Sequence, residues 1–185
     1  MKAEKIIAII TGPSAVGKTT IAKGVLKQLK NFKPSTTYTT RDKRDKESED
    51  KIMHYISEKE FRNMMDEEKF VEWAQVYGNF YGTSRQALEE TLQTHNVLMN
   101  IDVQGARSIK KKFPRHISIF ILPEKIEDLI ARIDQRKMSK TMKNLRIAQA
   151  KSTIDQAEYF DYKIINYNNK AEQTIEKVVK ILNKY

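Results

Sequence analysis

Four short apolar runs divide the chain, and each is followed by a segment in which apolar residues recur at helical spacing. The runs cover residues 5–10, 96–101, 117–122 and 162–165. The first is nearly continuous and rich in isoleucine, which is typical of a strand buried on both faces. After it, residues 19–30 carry one apolar stripe, made of Ile21, Ala22, Val25, Leu26 and Leu29. This alternation predicts a three-layer α/β/α fold, in which helices cover both faces of a parallel central sheet.

Residues 35–88 interrupt the alternation. Residues 36–40 have strand character, and Ser57-Glu58-Lys59-Glu60 is a capping box that predicts a helix ending near Glu67. Further on, residues 70–76 and Phe80-Tyr81 flank a predicted turn at Gly78-Asn79, which indicates a small antiparallel unit. We therefore expect one domain in which a small α+β lobe at 35–88 is inserted into a core made of residues 1–34, 89–131 and 152–185.

Residues 132–151 hold much of the positive charge of the chain, with seven lysines and arginines against one acid. The part from 137 to 145 lacks apolar periodicity, which predicts a mobile loop between two helices. A charge run of this kind is, on its own, most often a solvated helical face.

Composition narrows the class of protein. The chain has 185 residues, of which 39% are apolar and 31% are charged, and this fits a soluble globular protein. It has no cysteine, so disulfides and thiolate metal sites are excluded.

Only five apolar residues precede Thr11-Gly12, too few for a signal peptide or a membrane span, so we expect a cytoplasmic protein without a membrane partner. The net charge of +10 would suit nucleic acid, an anionic membrane or small phosphorylated ligands, but no nucleic-acid module is recognisable, and we expect no nucleic acid as a partner.

The segment Gly12-Pro13-Ser14-Ala15-Val16-Gly17-Lys18-Thr19 fits the phosphate-loop pattern G-x-x-x-x-G-K-S/T. Its glycines allow a tight turn whose backbone N–H groups bind anions at the start of a helix. Lys18 can reach the β- and γ-phosphates of a nucleoside triphosphate, and the Thr19 hydroxyl can ligate Mg²⁺. A glycine-rich turn with a chance lysine is the alternative, but this segment lies between an apolar strand and an amphipathic helix. The loop predicts the triphosphate and leaves the acceptor open.

Four further segments follow the phosphate loop: Thr39-Thr40-Arg41-Asp42-Lys43-Arg44, Glu72-Trp73-Ala74-Gln75, Gly78-Asn79-Phe80-Tyr81-Gly82-Thr83 and Asn100-Ile101-Asp102-Val103-Gln104-Gly105. In order and spacing they resemble the guanylate kinases, whose patterns are T-T-R-x-x-R, E-W-A, G-N-x-Y-G-S/T and I-D-x-Q-G. The resemblance spans nearly the whole chain. It implies a P-loop kinase that phosphorylates GMP, and dGMP, with ATP and Mg²⁺, in which residues 35–88 bind the monophosphate and residues 132–151 form a helical lid.

The resemblance assigns the acceptor site to the inserted lobe and to the end of the second apolar run, at residues 96–101. The contacts with the GMP phosphate fall on Arg41, Arg44 and Tyr81, and those with guanine on Glu72 and Thr83, with Thr37 and Asp102 as further candidates. Arginines form bidentate hydrogen bonds with phosphate. A carboxylate accepts two N–H bonds from guanine, whereas adenine presents an acceptor there and would leave a buried charge unpaired. Taken singly, each residue could equally be part of a solvated ion pair or of the core.

The same resemblance assigns ATP binding to Gly12, Pro13, Ser14, Ala15, Val16, Gly17, Lys18, Thr19, Thr20, Arg132, Arg136 and Asn166. It assigns catalysis to Lys18, Arg41, Arg136 and Arg146. Phosphoryl transfer spreads negative charge over the moving group, and arginines on a closing lid would stabilise that charge and exclude water. The implied reaction is a direct in-line transfer without a covalent intermediate.

The chain departs from the guanylate kinase pattern at four positions. Met53 replaces a tyrosine that contacts the GMP phosphate, Asn100 replaces an acid, Lys137 replaces a glycine, and Thr83 replaces a serine. We therefore expect a working enzyme with weakened GMP affinity, either monomeric or homodimeric. Two alternatives stay open: a guanylate-kinase-like binding module without activity, and a P-loop kinase with another small phosphorylated acceptor. The intact phosphate loop counts against the first, and Glu72 together with Thr83 counts against the second.

Overall fold

The computed structural model describes residues 4–43, 52–136 and 138–185. Its strands are β1 (Ile7–Thr11), β2 (Phe32–Pro34), β3 (Thr37–Thr39), β4 (Met53–Tyr55), β5 (Phe70–Val76), β6 (Asn79–Ser84), β7 (Asn96–Asn100), β8 (His116–Pro123) and β9 (Tyr162–Asn166). Its helices are α1 (Lys18–Gln28), α2 (Glu58–Asp66), α3 (Arg85–Leu92), α4 (Val103–Lys112), α5 (Ile126–Asp134), α6 (Lys140–Ile154) and α7 (Ala171–Leu182), and a 3-10 helix covers Asp155–Tyr159.

A five-stranded sheet forms the core, in the order β2-β7-β1-β8-β9, with every neighbouring pair parallel. Each residue of the central strand β1 is buried. Ala8 and Ile10 face a cluster that includes Val25 of α1 and Val178 of α7. Ile7, on the opposite face, packs in a second cluster with residues of α3 and α4. The predicted α/β fold, with helices on both faces of a parallel sheet, is confirmed.

A second sheet has four strands in the order β4-β3-β6-β5. Strands β5 and β6 are antiparallel as predicted, whereas β4 runs parallel to β3. The helix α2 begins with the predicted capping box at Ser57. Its Phe61 stacks on Phe70 and Phe80 with ring centroids 4.5 and 5.3 Å apart. These three rings give the second sheet a small apolar core of its own.

Two local predictions are wrong. The turn between β5 and β6 is formed by Tyr77 and Gly78, one residue earlier than predicted, and both have left-handed φ angles of 53° and 82°. The predicted mobile loop over 137–145 is helical from Lys140 onward, because the Ser139 hydroxyl accepts a hydrogen bond from Met142 N at 3.2 Å and caps α6. Apolar periodicity gave no signal because Ala150 is the one fully buried residue of α6. Lys137 lies outside the described residues.

Across the described ranges, none of the helices combines the length and the apolar character needed to cross a membrane.

Candidate functional site

The phosphate-loop segment lies between the carboxyl end of β1 and the start of α1, where the sequence predicts it. Gly12 has φ 140° and Gly17, the N-cap of α1, has φ 101°. A Cβ atom on Gly12 would overlap the Ile121 carbonyl oxygen on the neighbouring strand β8. Both the backbone angle and this close approach require glycine. The backbone N–H groups at the start of α1 therefore form an anion-binding site.

Lys18 bends back over this loop. Its Nζ atom donates hydrogen bonds to the carbonyl oxygens of Gly12 at 2.7 Å and Pro13 at 2.8 Å. Desolvation lowers the pKa of Lys18 to about 8, while the charge of Asp102 opposes the shift and that of Arg136 adds to it. The loop thus carries an ammonium group that has lost most of its hydration, which strengthens its attraction for a bound anion.

Thr19 is exposed at the first turn of α1, and its hydroxyl accepts a hydrogen bond from Asn100 Nδ2 at 3.2 Å. Asn100 ends β7, the strand next to β1. A hydroxyl and an amide oxygen are hard ligands of the kind that Mg²⁺ accepts. In the described ranges, no group of three acidic, histidine or cysteine side chains is gathered closely enough to hold a metal on its own. Mg²⁺ commonly keeps only one or two protein ligands and binds substrate phosphates as well.

Glu72 and Thr83 face each other on β5 and β6 and are both buried, with 5% and 0% of their surfaces exposed. The Thr83 hydroxyl donates to Glu72 Oε1 at 2.6 Å. Desolvation raises the pKa of Glu72 to about 7, the hydrogen bond from Thr83 opposes this, and the nearby Asp102 raises it further. A buried carboxyl group with such a pKa is prepared to accept N–H donors from a ligand, because their hydrogen bonds would restore the charged form.

Gly105, in the first turn of α4, lets the helix approach this carboxyl group. A Cβ atom at Gly105 would overlap Glu72 Oε2. Asp102 caps α4 by accepting hydrogen bonds from the backbone N–H groups of Gln104 and Gly105, both at 3.0 Å. The charge of Asp102 acts on the pKa of both Lys18 and Glu72, so the start of α4 is within electrostatic reach of the phosphate loop and of the buried carboxyl group.

The other predicted acceptor residues lie on the small sheet. Thr37 and Tyr81 are half-buried on β3 and β6, and Thr37 pairs with Thr83. Arg41 follows β3, donates from Nη1 to the Asp42 carbonyl oxygen at 2.6 Å, and lies 5.5 Å from the ring centroid of Tyr55. Arg44 lies outside the described residues. Tyr55, which the sequence analysis did not single out, thus contacts a predicted phosphate ligand.

Two of the predicted donor-side arginines contact the phosphate loop directly. Arg132 of α5 donates from Nη1 to the Ala15 carbonyl oxygen at 3.1 Å and also bonds Asn168. Arg146 of α6 lies with Nη1 3.4 Å from Ser14 Oγ. Arg136 follows α5, and its charge lowers the pKa of Lys18. Arg132 and Arg146 therefore lie against the loop, so these two members of the basic stretch are not part of a merely solvated face.

Asn166, predicted to neighbour adenine, is buried at the end of β9. Its Nδ2 donates to the Val16 carbonyl oxygen at 2.8 Å, and its Oδ1 accepts from the Thr174 hydroxyl at 2.9 Å. Each amide atom keeps one further hydrogen-bonding position, and the role of Asn166 as a neighbour of adenine stays a prediction. The contact does attach the last strand to the phosphate loop.

Sequence reasoning missed Tyr77, whose ring centroid lies 4.1 Å from the Arg146 guanidinium carbon. The one available signal was an aromatic side chain next to a turn glycine, where asparagine or aspartate is usual.

Comparison with known proteins gives a consistent result. Residues 4–185 match the family model of guanylate kinase. The guanylate kinase of Prochlorococcus marinus subsp. pastoris is 39% identical over 184 residues, covering 98% of this chain and 99% of that protein. That of Geobacter metallireducens is 38% identical over 182 residues, covering 97% and 90%. The crystal structure of guanylate kinase from Anaplasma phagocytophilum has a TM-score of 0.82 at 29% identity, covering 100% of this chain and 87% of that one.

Proposed function

Because this chain belongs to the guanylate kinase family, we propose that it transfers the γ-phosphoryl group of ATP to GMP, forming ADP and GDP. We propose dGMP as a second acceptor. The observation that supports this proposal most is the buried Glu72 carboxyl group, which accepts a hydrogen bond from Thr83 and whose pKa, like that of Lys18 in the phosphate loop, is affected by the charge of Asp102. We propose that the donor phosphates and the acceptor base bind on either side of Asp102.

The acceptor base is recognised through Glu72. Guanine presents the N1–H and N2–H donors that a carboxylate accepts in parallel, and their hydrogen bonds compensate for its desolvation. Adenine presents an acceptor at N1 and would leave the charge unpaired, which costs several kcal/mol. The Thr83 hydroxyl, whose proton points at Glu72, orients the carboxylate and can reach guanine O6 only after rotating. Thr37 and Asp102 complete the walls of this subsite.

The acceptor phosphate is bound by Arg41 and Tyr81, with Arg44 as a further ligand. Arg41 already lies against Tyr55 and can present its guanidinium group to a dianion without losing that contact. The GMP phosphate is ionised at neutral pH, so the reaction needs no strong general base. The task of these residues is to align the acceptor oxygen with the γ-phosphorus.

On the donor side, the loop from Gly12 to Thr20 and Lys18 hold the ATP phosphates, while Arg132, Arg136 and Arg146 neutralise charge on the phosphoryl group in transit. Asn166 supports the loop behind the adenine subsite. Transfer is direct and in line. Thr19 would hold Mg²⁺, with Asn100 beside it. The bound ion would supply positive charge that offsets the negative charge of the ATP phosphates.

We further propose that residues 35–88 act as the GMP lobe and residues 132–151 as the lid of one catalytic domain. The cytoplasm is the proposed compartment, because ATP and GMP are both available there. Either a monomer or a homodimer is compatible with this function, since every assigned residue comes from one chain.

The test is an ADP-release assay with ATP, Mg²⁺ and each of GMP, dGMP, AMP, UMP and CMP. We expect turnover with GMP and dGMP alone. Lys18→Ala should lose at least a hundredfold in kcat while keeping the circular-dichroism spectrum of the wild type, because it removes a donor to the transferred phosphate.

Two outcomes would support the alternatives. Equal rates with all five monophosphates would remove the role of Glu72 and indicate a different acceptor. Tight ATP binding without turnover on any of them would indicate a binding module.

A further inference from the structure

The turn between β5 and β6 lies against α6, a helix of the proposed lid. Tyr77, at this turn, stacks on Arg146 of α6, with 4.1 Å between the guanidinium carbon and the ring centroid. The same guanidinium lies 3.4 Å from the Ser14 hydroxyl of the phosphate loop. One arginine is therefore held between the acceptor lobe and the donor loop.

The ring of Tyr77 compensates for a hydrogen bond that Arg146 lacks. The Nε atom of this arginine is buried and has no hydrogen-bond partner among the described residues. An unpaired buried N–H group is normally costly. A guanidinium stacked on an aromatic face gains cation–π attraction, which grows as the pair loses water. The face of the ring is thus the partner that keeps the Arg146 side chain in this position.

The conformation of Tyr77 indicates that its side chain is used. It has a φ of 53° in a two-residue turn, where asparagine, aspartate or glycine is favoured and tyrosine is strained. Burial raises the pKa of the Tyr77 hydroxyl, while the charges of Arg146 and Arg136 and a hydrogen bond with Ser14 oppose that shift, so the hydroxyl is near the phosphate loop and the donor-side arginines.

We propose that Tyr77 is a positioning residue, whose ring holds Arg146 against the phosphate loop. This inference rests on the proposed function, in which Arg146 stabilises the phosphoryl group in transit. Arg146 stabilises the transferred phosphoryl group fully only while it is stacked on Tyr77. This stacking requires the acceptor lobe, which carries Tyr77, to lie against the lid, which carries Arg146. Tyr77 thereby couples occupation of the acceptor lobe to completion of the donor site, a form of closure that protects ATP from water.

The test compares four substitutions at Tyr77 under saturating ATP and GMP. Tyr77→Phe and Tyr77→Trp keep a ring face and should stay within twofold of the wild-type kcat. Tyr77→Leu and Tyr77→Asn remove it and should lower kcat about 5- to 30-fold, the range expected for a desolvated cation–π pair, while KM for GMP changes less than threefold. Asparagine suits the left-handed turn, so its loss of activity cannot come from a misfolded hairpin.

A double-mutant cycle tests whether the effect passes through Arg146. In an Arg146→Ala background, Tyr77→Leu should cause no further loss in kcat. The matched control is Tyr159→Leu, which removes a similar stack on Arg107, at 5.0 Å, near the opposite end of the strands, and should leave kcat unchanged.

Three results would overturn the inference. They are wild-type kcat in Tyr77→Leu and Tyr77→Asn, an equal loss in Tyr77→Phe, and a loss that adds fully to that of Arg146→Ala. A wild-type protein that turns over no monophosphate would instead overturn the proposed function, and the role of Tyr77 with it.

Discussion

The Glu72 carboxyl group should make recognition of GMP depend on pH. Guanine needs a carboxylate acceptor, and desolvation raises the pKa of Glu72 to about 7 in the free protein. Below that pH the carboxyl group is protonated and offers a donor where an acceptor is required. We expect kcat/KM for GMP to fall about tenfold per pH unit below about 7, measured from pH 5.5 to 8.5.

The control for this profile is Glu72→Gln, which cannot titrate. Protonation of the GMP phosphate itself affects both proteins, so the ratio of their profiles isolates Glu72. We expect the ratio to rise with pH and to level off above about pH 7.5. A constant ratio would contradict the assignment of Glu72 as the titrating acceptor.

From the sequence, Glu72 and Thr83 are expected as two separate contacts with guanine. In the structure the Thr83 hydroxyl donates to the carboxyl group across β5 and β6. The two-residue turn at Tyr77 and Gly78 sets the register that places Glu72 opposite Thr83, and a turn at Gly78-Asn79, as predicted from the sequence, would have paired Glu72 with a different residue. The residue types could therefore be predicted, whereas their mutual hydrogen bond could not.

At the scale of the element, Asp102 combines a helix cap with a charge, and the two roles can be separated. Asn caps a helix about as well as Asp, but it carries no charge. Asp102→Asn should keep the free energy of unfolding within about 0.5 kcal/mol of the wild type, whereas Asp102→Ala should lose about 1 kcal/mol of cap stabilisation, both measured by urea unfolding.

The same substitution tests the electrostatic link between the half-sites. The charge of Asp102 raises the pKa of Glu72, so Asp102→Asn should shift the pH profile for GMP to lower pH. Glu89→Gln, on the exposed surface of α3, is the charge-removal control and should leave the profile in place. An unshifted profile in Asp102→Asn would show that the start of α4 does not join the two half-sites electrostatically.

Elements with strong periodicity or caps could be predicted, and elements held by packing could not. The capping box at Ser57 marks the start of α2 in both sequence and structure. In contrast, the apolar residues of α6 do not form one buried face, since Leu145 is exposed and Ala150 is its one fully buried residue, so hydrophobic spacing does not reveal its first turns. The short strand β2 contains Pro34 and pairs only with β7 at the edge of the sheet, which is where a strand proline is tolerated.

At the scale of the whole molecule, alternating apolar runs were sufficient to predict the parallel sheet and its two helical layers. The contact of Tyr77 with Arg146 was not predictable, because it joins segments far apart in the chain through the relative placement of two sheets and a helix. The attachment of β9 to the phosphate loop through Asn166 has the same origin. Long-range contacts of this kind determine the site, while local pattern determines the scaffold.

The free energy of unfolding should pass through a minimum between about pH 7 and about pH 8 in the absence of nucleotides. Glu72 has a pKa raised from 4.5 to about 7 by desolvation, so the native state binds its proton more tightly than the unfolded state. That stabilisation is complete below pH 4.5 and is lost as pH rises through about 7, at a total of about 3 kcal/mol. Hydrogen bonds lower the pKa of Glu60, and hydrogen bonds to Asp161 outweigh its desolvation and lower its pKa as well. The contributions of these two groups to stability therefore change with pH only below this window.

Lys18 produces the rise on the alkaline side. Desolvation lowers its pKa from 10.5 to about 8, so the unfolded state binds its proton more tightly, and stability is gained as pH rises from about 8 towards 10.5.

Urea unfolding from pH 5 to 10 should show both limbs. Glu72→Gln should flatten the acidic limb alone, and Lys18→Met, which keeps the apolar stem, should flatten the alkaline limb alone. A wild-type curve that rises steadily from pH 5 to 7 would show that Glu72 is not desolvated in the free protein. The proposed substrates would compensate both groups, because ATP phosphates would neutralise the charge of Lys18 and guanine N–H groups would donate hydrogen bonds to Glu72. The expected minimum in stability near neutral pH therefore comes from keeping both groups desolvated before the substrates bind.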